Sequence, residues 1–241
     1  MRVTTHDQLM ELLDSLYADG ADRTSSGAAG FWDALFQQAD HPLRGDLPDA
    51  SLVAWQAAGL LGDQPRGRAL DVGCGLGRNS RWLAAQGFTV TGVDISPYAI
   101  EEAARRSRGQ AVGYARLDFV RESVPGGSFD FVYDSGCYHH LAPHRRISYM
   151  QALEAVLAPG GLFGICTFAA GRMGTDADDR ALLREGRLHG GVAYTVDDLQ
   201  QMFCWLEPLD AGRMPLPEAV AEPAFTHDFL NVALFRRPAQ G

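Results

Sequence analysis

The chain contains no lysine: all 21 basic residues are arginine. Schiff-base and pyridoxal-phosphate chemistry need a lysine amine, as does the phosphate loop of nucleotide hydrolases, so composition excludes all three. Cysteine is scarce too. Cys74, Cys137, Cys166 and Cys204 are widely spaced with no C-x-x-C pair, which argues against structural zinc and against a disulfide framework. No apolar run approaches the ~20 residues that span a bilayer, so no membrane partner is expected. A long basic stripe is also missing. Net charge is -9 and the arginines are scattered among acids, which argues against a nucleic-acid partner. The opening "MRVTTHDQLMELLDSL" alternates polar and apolar residues with helical period, unlike a signal peptide, so a cytoplasmic protein is expected.

What is present is enough for one α/β domain: 241 residues, 46% of them hydrophobic. Residues 6–18, 31–39 and 50–61 have helical periodicity, broken by "GADRTSSGAAG" and "HPLRGDLPD". From residue 66 the pattern changes to strands alternating with helices. "RALDVG" (68–73), "FTVTGVD" (88–94), "AVGYARLD" (111–118), "SFDFVYD" (128–134) and "LFGICTF" (162–168) are predicted strands. Ser96 and Pro97 form an N-cap and first-turn pair, a helix over about 144–157 ends at "APGG", and Thr195 caps a helix over 196–204. "FLNVALFRR" (229–237) is a closing strand, and residues 169–194 are expected to be an irregular insertion. This alternation implies a doubly wound, mostly parallel sheet that binds ligands at the strand carboxyl ends.

Glycines at 73, 75 and 77 follow the first strand in "DVGCGLG". A dinucleotide fingerprint would place glycine or alanine where Arg78 stands. The G-x-G-x-G form lets backbone approach a ligand without requiring a diphosphate. Asp94 ends the second strand, where a carboxylate can accept both hydroxyls of a ribose. Asp118 ends the third beside Phe119, a polar group and an aromatic face suited to adenine.

The segments "ALDVGCGLGRNS", "VTGVDIS", "LDF", "FDFVYDSG" and "LAPGGLF", in order and spacing, resemble the class I S-adenosylmethionine-dependent methyltransferases. The resemblance covers roughly residues 66–168. It implies a Rossmann-like seven-stranded, mostly parallel sheet with the last strand antiparallel. It also implies a helical cover over residues 1–65 and a cofactor-binding core over 66–241. Asp71 and the loop Gly73, Cys74, Gly75 and Gly77 would hold the methionine part of S-adenosyl-L-methionine. Asp94 with Ile95 would hold the ribose and Asp118 with Phe119 the adenine, while Asp134 and Ser135 would line the methionine end. A looser likeness, in "FWDALFQQADHPLRGDLPD" and the spacing of Pro143, Arg146 and Tyr149, is to the thiopurine S-methyltransferase and tellurite-resistance branch.

"DSGCYHHLAPHRR" gathers three histidines, one cysteine and one carboxylate. Adjacent histidines point differently and Cys137 completes no ligand set, so no metal is expected. His139 or His140, with Asp134, are the candidates for catalysis because the fourth strand's end would face the methyl group. Phe31, Trp32, Tyr138 and Arg146 are candidates for the acceptor pocket, with Tyr17, Met173 and Tyr194 as outer possibilities. Arg145 and Arg146 also suit salt bridges, and His144 the surface. The expected function is methyl transfer to a sulfur, oxygen or nitrogen atom of a small molecule. Arginine-only basicity and abundant alanine suggest a GC-rich bacterial source and a specialised metabolite or xenobiotic acceptor. The alternative is a cofactor-binding fold with a cyclase-type or regulatory role.

Overall fold

The computed structural model describes residues 2–17, 23, 28–62 and 67–239. Its centre is β1 (Arg68–Val72), whose residues beyond the first are buried, paired in parallel with β2 (Thr89–Asp94) and with β4 (Phe129–Ser135). β3 (Val112–Arg116) flanks β2, and β5 (Leu157–Ala169) flanks β4, also in parallel. Beyond β5 the direction reverses. β8 (Leu230–Arg236) runs antiparallel to both β5 and β7 (Glu207–Arg213), completing the order β3-β2-β1-β4-β5-β8-β7. A two-residue strand, β6 (Ala193–Tyr194), adds to the end of β5. The expected seven-stranded path with an antiparallel last strand is present.

Side chains alternate across this sheet, as strand geometry requires. Leu70, Val72, Val132, Phe163, Ile165 and Phe235 face one core, which α6 (Pro143–Val156) and α8 (Val196–Met202) cover. Ala69, Phe131, Tyr133, Val232 and Leu234 face the other, with α3 (Ala50–Ala57) and α4 (Arg78–Ala85). α5 (Pro97–Arg106) packs on β2 and β3 and carries α2 (Ala28–Gln37) outside it. α1 (His6–Ser15) lies against α6. Two predicted caps form. The Ser96 hydroxyl accepts the Ala99 N–H ahead of Pro97, and Thr195 and Asp198 make a reciprocal capping box.

Several boundaries differ from expectation. The first helix ends at Ser15, and residue 18 lies outside the described residues. α3 stops at Ala57, where Gly59 and Gly62 adopt positive φ. "LAPGG" belongs to β5 rather than to a loop, because strand pairing resumes directly at Leu157. β3 ends at Arg116, which leaves Asp118 and Phe119 in the following loop. Residues 169–194 are more ordered than expected. They hold α7 (Asp179–Glu185), capped by the Asp178 side chain and closed by Gly186 at φ 63°, besides β6. β7 was not anticipated: "EPLDAGR" carries proline, aspartate and glycine and has a register shift, as an exposed edge strand can.

Trp55 ties the amino-terminal helices to this core. It is 2% exposed, meets Tyr133 edge-on at 6.3 Å and donates from Nε1 to Asp210 Oδ2 at 2.7 Å. Trp55→Ala is therefore expected to lower stability by about 3–5 kcal/mol, measured as a shift of the urea midpoint at constant slope.

Candidate functional site

At the carboxyl edge of the parallel strands lies a cavity of about 550 Å³. Its floor is the glycine loop between β1 and α4. Gly73, Gly75 and Gly77 have φ of 64°, 51° and 79°, where a Cβ is strained. At Gly75 a Cβ would also stand 3.0 Å from Phe36 Cζ of α2. The loop is held by Asp94 at the end of β2: its Oδ2 accepts the Gly75 N–H at 2.9 Å and its Oδ1 the Ser96 N–H at 2.8 Å. Burial pushes this carboxyl up to about 6 despite those two bonds. Asp71, in β1, accepts the Ser80 hydroxyl at 2.5 Å and is pushed by burial up to about 7. Cys74 and Ile95 line the same region.

The loop after β3 forms the next wall. Asp118 accepts the Val120 N–H at 3.1 Å and Arg121 Nη1 at 2.7 Å, while Phe119 packs edge-on to Tyr149 at 5.1 Å. Both line the cavity. Beyond β4, Ser135, Gly136 and Cys137 continue the wall.

A buried ion pair supports this edge from behind. Asp49, fully buried, accepts Arg78 Nη2 at 2.6 Å, the Tyr133 hydroxyl at 2.7 Å and the Ser135 hydroxyl. The Asp49 N–H donates to Asn79 Oδ1 at 2.9 Å. The Arg78 guanidinium lies over the Phe225 ring at 3.8 Å and lines the cavity. Asp49 and Phe225 escaped the sequence reading, and Arg78 entered it only as a departure from a fingerprint.

His139 and His140 both line the cavity and touch each other. His139 Nδ1 accepts the Phe168 N–H at 3.2 Å, which places the neutral ring's proton on Nε2. That nitrogen lies 3.1 Å from His140 Nε2, so it occupies the lone pair of His140. Burial lowers His139 to about 3 and holds His140 well below its ordinary value. Both rings are neutral at pH 7, and neither offers a free basic nitrogen.

Four predicted residues stand elsewhere than expected. Asp134 is fully buried behind the wall, where it accepts the N–H groups of Cys137 and Tyr138, at 2.7 and 3.0 Å, and the Tyr149 hydroxyl, at 2.7 Å. Its carboxylate folds the turn after β4 and does not line the cavity. Tyr138 is packed among Tyr149, Tyr194 and Phe203 on the far side of that turn. Arg146 pairs with Asp179 of α7, the plainer role, and Phe31 stands outside the cavity, 38% exposed. Trp32 does line it, as does Met173, whereas Tyr17 and Tyr194 are buried elsewhere. His144 is not on the surface: it is buried and bonded to Asp14.

The sequence reading also missed Phe36, His41, Phe168, His227 and Phe229, all of which line the cavity. One signal was available for part of this set. "FTHDF" (225–229) alternates rings with polar residues just before the closing strand, the period that puts them on one side. Among the described residues, no three histidine, cysteine or acidic side chains converge as a metal site, and no helix is long and apolar enough to cross a membrane.

Residues 69–161 match the methyltransferase domain family. An uncharacterised methyltransferase of Schizosaccharomyces pombe is 36% identical over 89 residues, which cover 36% of this chain and 61% of that protein. A structure reported for the conversion of a disulfide bond into a thioacetal group during echinomycin biosynthesis is 26% identical. It covers 88% of this chain and 94% of its own, with a TM-score of 0.61. The Burkholderia thailandensis 1,6-didemethyltoxoflavin N1-methyltransferase, solved with its substrate and S-adenosylhomocysteine, is 22% identical. It covers 99% of this chain and 92% of its own, with a TM-score of 0.58. The first curated relatives are matched over less than two thirds of their own length, from 61% down to 28%.

Removing one member of the buried pair leaves an uncompensated charge, so Asp49→Ala is expected to cost about 3–5 kcal/mol in chemical denaturation. Asp49→Asn keeps an acceptor for Tyr133 and Ser135 and should recover part of that loss.

Proposed function

We propose that this chain, whose residues 69–161 match the methyltransferase domain family, is a class I S-adenosylmethionine-dependent methyltransferase that transfers a methyl group from that cofactor to a heteroatom of a small molecule. The observation that carries the proposal is the Asp94 carboxylate. It is fixed to the Gly75 backbone at one wall of a cavity large enough for cofactor and acceptor together. Its two oxygens accept the Gly75 and Ser96 N–H groups, and a carboxylate's four or so lone-pair sites leave capacity for ribose hydroxyls. Ile95 lies beside it. Asp118 and Phe119 are suited to the amine and face of adenine, and Asp71, Gly73 to Gly77 and Ser135 to the methionine end.

When bound, S-adenosylmethionine supplies a methyl group already activated on a sulfonium. The protein's work is then to orient, to exclude water and to receive a proton where the acceptor releases one. The glycine loop brings backbone close, Phe36 closes over Gly75, and the aromatic side chains of the far wall shut out solvent. The structure reported for echinomycin biosynthesis and the toxoflavin enzyme both concern small molecules, which supports an acceptor of that kind. A finer place in the thiopurine and tellurite-resistance branch is supported by the pattern Pro143, Arg146, Tyr149 at the start of α6. We take residues 1–65 as a cover and 66–241 as the catalytic core.

The ribose assignment has a pH signature. Hydroxyl donors need the ionised carboxylate, and burial places Asp94 near 6 before ligand binds. Affinity for S-adenosylhomocysteine should therefore be level above pH 6 and fall by up to about tenfold per unit below it. Calorimetric titration at pH 5, 6 and 7.5 measures this. Asp94→Ala should weaken binding at pH 7.5 by roughly 100-fold. Unchanged affinity in that variant would refute the role.

A further inference from the structure

The half of the cavity away from Asp94 is walled by rings in unbroken contact. Phe36 and Trp32 stack at 6.0 Å, and Trp32 meets His140 edge-on at 5.1 Å. His139 carries the run on to Phe168, stacked at 3.7 Å, and Phe168 meets Phe229 edge-on at 6.3 Å. The run ends in the loop between β7 and β8. There His227 stacks on Phe229 at 4.5 Å and stands edge-on to Phe225 at 4.7 Å, with Arg78 over Phe225. Every one of these side chains lines the cavity. No carboxylate belongs to the run. Such a wall offers ring faces and edges, so a flat conjugated guest gains from it beyond area burial.

The same wall contains one uncommitted base. Four histidines line the cavity. His41 Nδ1 accepts the Leu43 N–H at 3.2 Å, and the lone pairs of His139 and His140 are used as described above. His227 makes no hydrogen bond from either ring nitrogen to a described residue, so a neutral ring there keeps a free lone pair. Its position is nevertheless fixed. The Phe225 N–H donates to Pro48 at 2.7 Å and its carbonyl accepts from Ala50 at 3.0 Å, while Ala169 donates to the Phe229 carbonyl at 2.9 Å. Of the charged groups at this wall, Asp228 pairs with Arg172 at 3.5 Å and Arg78 with Asp49, while the Arg23 guanidinium lies at the other end of the run, over Phe31 at 4.7 Å and Trp32 at 5.9 Å.

Resting on the methyltransferase reading, we propose that the acceptor is a planar aromatic or heteroaromatic compound methylated at an ionisable O–H or N–H, and that His227 takes the proton. In that step the acceptor's heteroatom lone pair forms the new bond to the methyl carbon. The sulfur–carbon bond breaks with its electron pair staying on sulfur, and the acceptor's proton passes to an imidazole nitrogen and then to solvent. No further reagent is needed.

Two measurements test it. The first is calorimetric binding of acceptors to protein saturated with S-adenosylhomocysteine. Catechol and 8-hydroxyquinoline are expected to bind, and butylamine and 2-mercaptoethanol not to. The second is transfer from deuteromethyl S-adenosylmethionine by wild type and by His227→Asn at pH 7.5. The variant should lose about 100-fold in kcat on catechol, which must be deprotonated, and less than about threefold on 4-nitrocatechol, which is already ionised. Preferential binding of the aliphatic compounds, or no binding by either aromatic while S-adenosylhomocysteine binds, would overturn the acceptor class. An equal loss on both catechols, or none on either, would overturn the role of His227. Failure of the protein to bind S-adenosylhomocysteine would instead bring down the methyltransferase reading itself.

Discussion

The buried pair of Asp49 and Arg78 is the constraint on which the cavity's architecture depends. A charge removed from water must find its partners inside the fold, and Asp49 finds them on separate parts of the chain: Arg78 on α4, Tyr133 and Ser135 on β4. Its own backbone bridges to Phe225 in the loop before β8. Although Asp49 stands at the start of α3, its side chain makes no cap bond to that helix. The carboxylate is committed to tertiary contacts instead. An apolar pair of similar volume could be as stable. What the ion pair adds is direction, since a carboxylate with three donors admits few arrangements of the segments that supply them. Arg78 Nη1 is buried without a hydrogen bond to any described residue, and the face of Phe225 offsets part of that cost.

This constraint gives the two halves of the cavity different electrostatics. Asp71, Asp94 and Asp118 lie on the half proposed for the cofactor, and the half proposed for the acceptor is built from rings. A cation is favoured beside the first; in the second, the Arg78 charge is paired with Asp49, and Arg23 lies over the Trp32 ring at 5.9 Å. His139 and His140 matter here by what burial prevents. Protonated, either would put a positive charge into the same enclosed space. Held neutral, they serve as aromatic wall: Phe168 satisfies His139 Nδ1 and the two Nε2 atoms satisfy each other, while His140 Nδ1 is buried without a hydrogen bond to a described residue. In a low-dielectric site that neutrality is worth more than a weak base would be.

The readable parts of the chain were those set by short-range rules. The glycine loop, the strand ending in Asp94 and the Ser96 cap are each decided within a few residues, and each is where the sequence puts it. Asp134 shows the opposite case. A carboxylate at a strand end has the same local appearance whether it faces a ligand or folds a turn, and only the N–H groups of Cys137 and Tyr138 decide. Pro143, Arg146 and Tyr149 are similar. Tyr149 bonds Asp134 and Arg146 bonds Asp179, so the spacing here encodes how α6 docks. The ring wall was illegible for another reason. It is assembled from α2, the turn after β4, the end of β5 and the loop before β8, and no local period links residues 32, 140, 168 and 227.

The amino-terminal segment proposed as a cover contributes side chains to the cavity itself. Phe36 closes over Gly75, Trp32 contributes to the ring wall, and His41 faces the cavity. Asp33 of α2 accepts from the Ser96 hydroxyl and from the Tyr98 N–H, which joins the cover to the first turn of α5, next to Asp94. At the other end of the cover, Asp14 of α1 bonds Arg121, which in turn holds Asp118 at 2.7 Å. The two carboxylates proposed for the ribose and adenine are thus each one hydrogen-bonded step from the cover. A division of the chain by strand pattern falls before β1. The division by chemistry does not, because the ligand-facing surface is complete only when residues from both sides of that boundary are packed together.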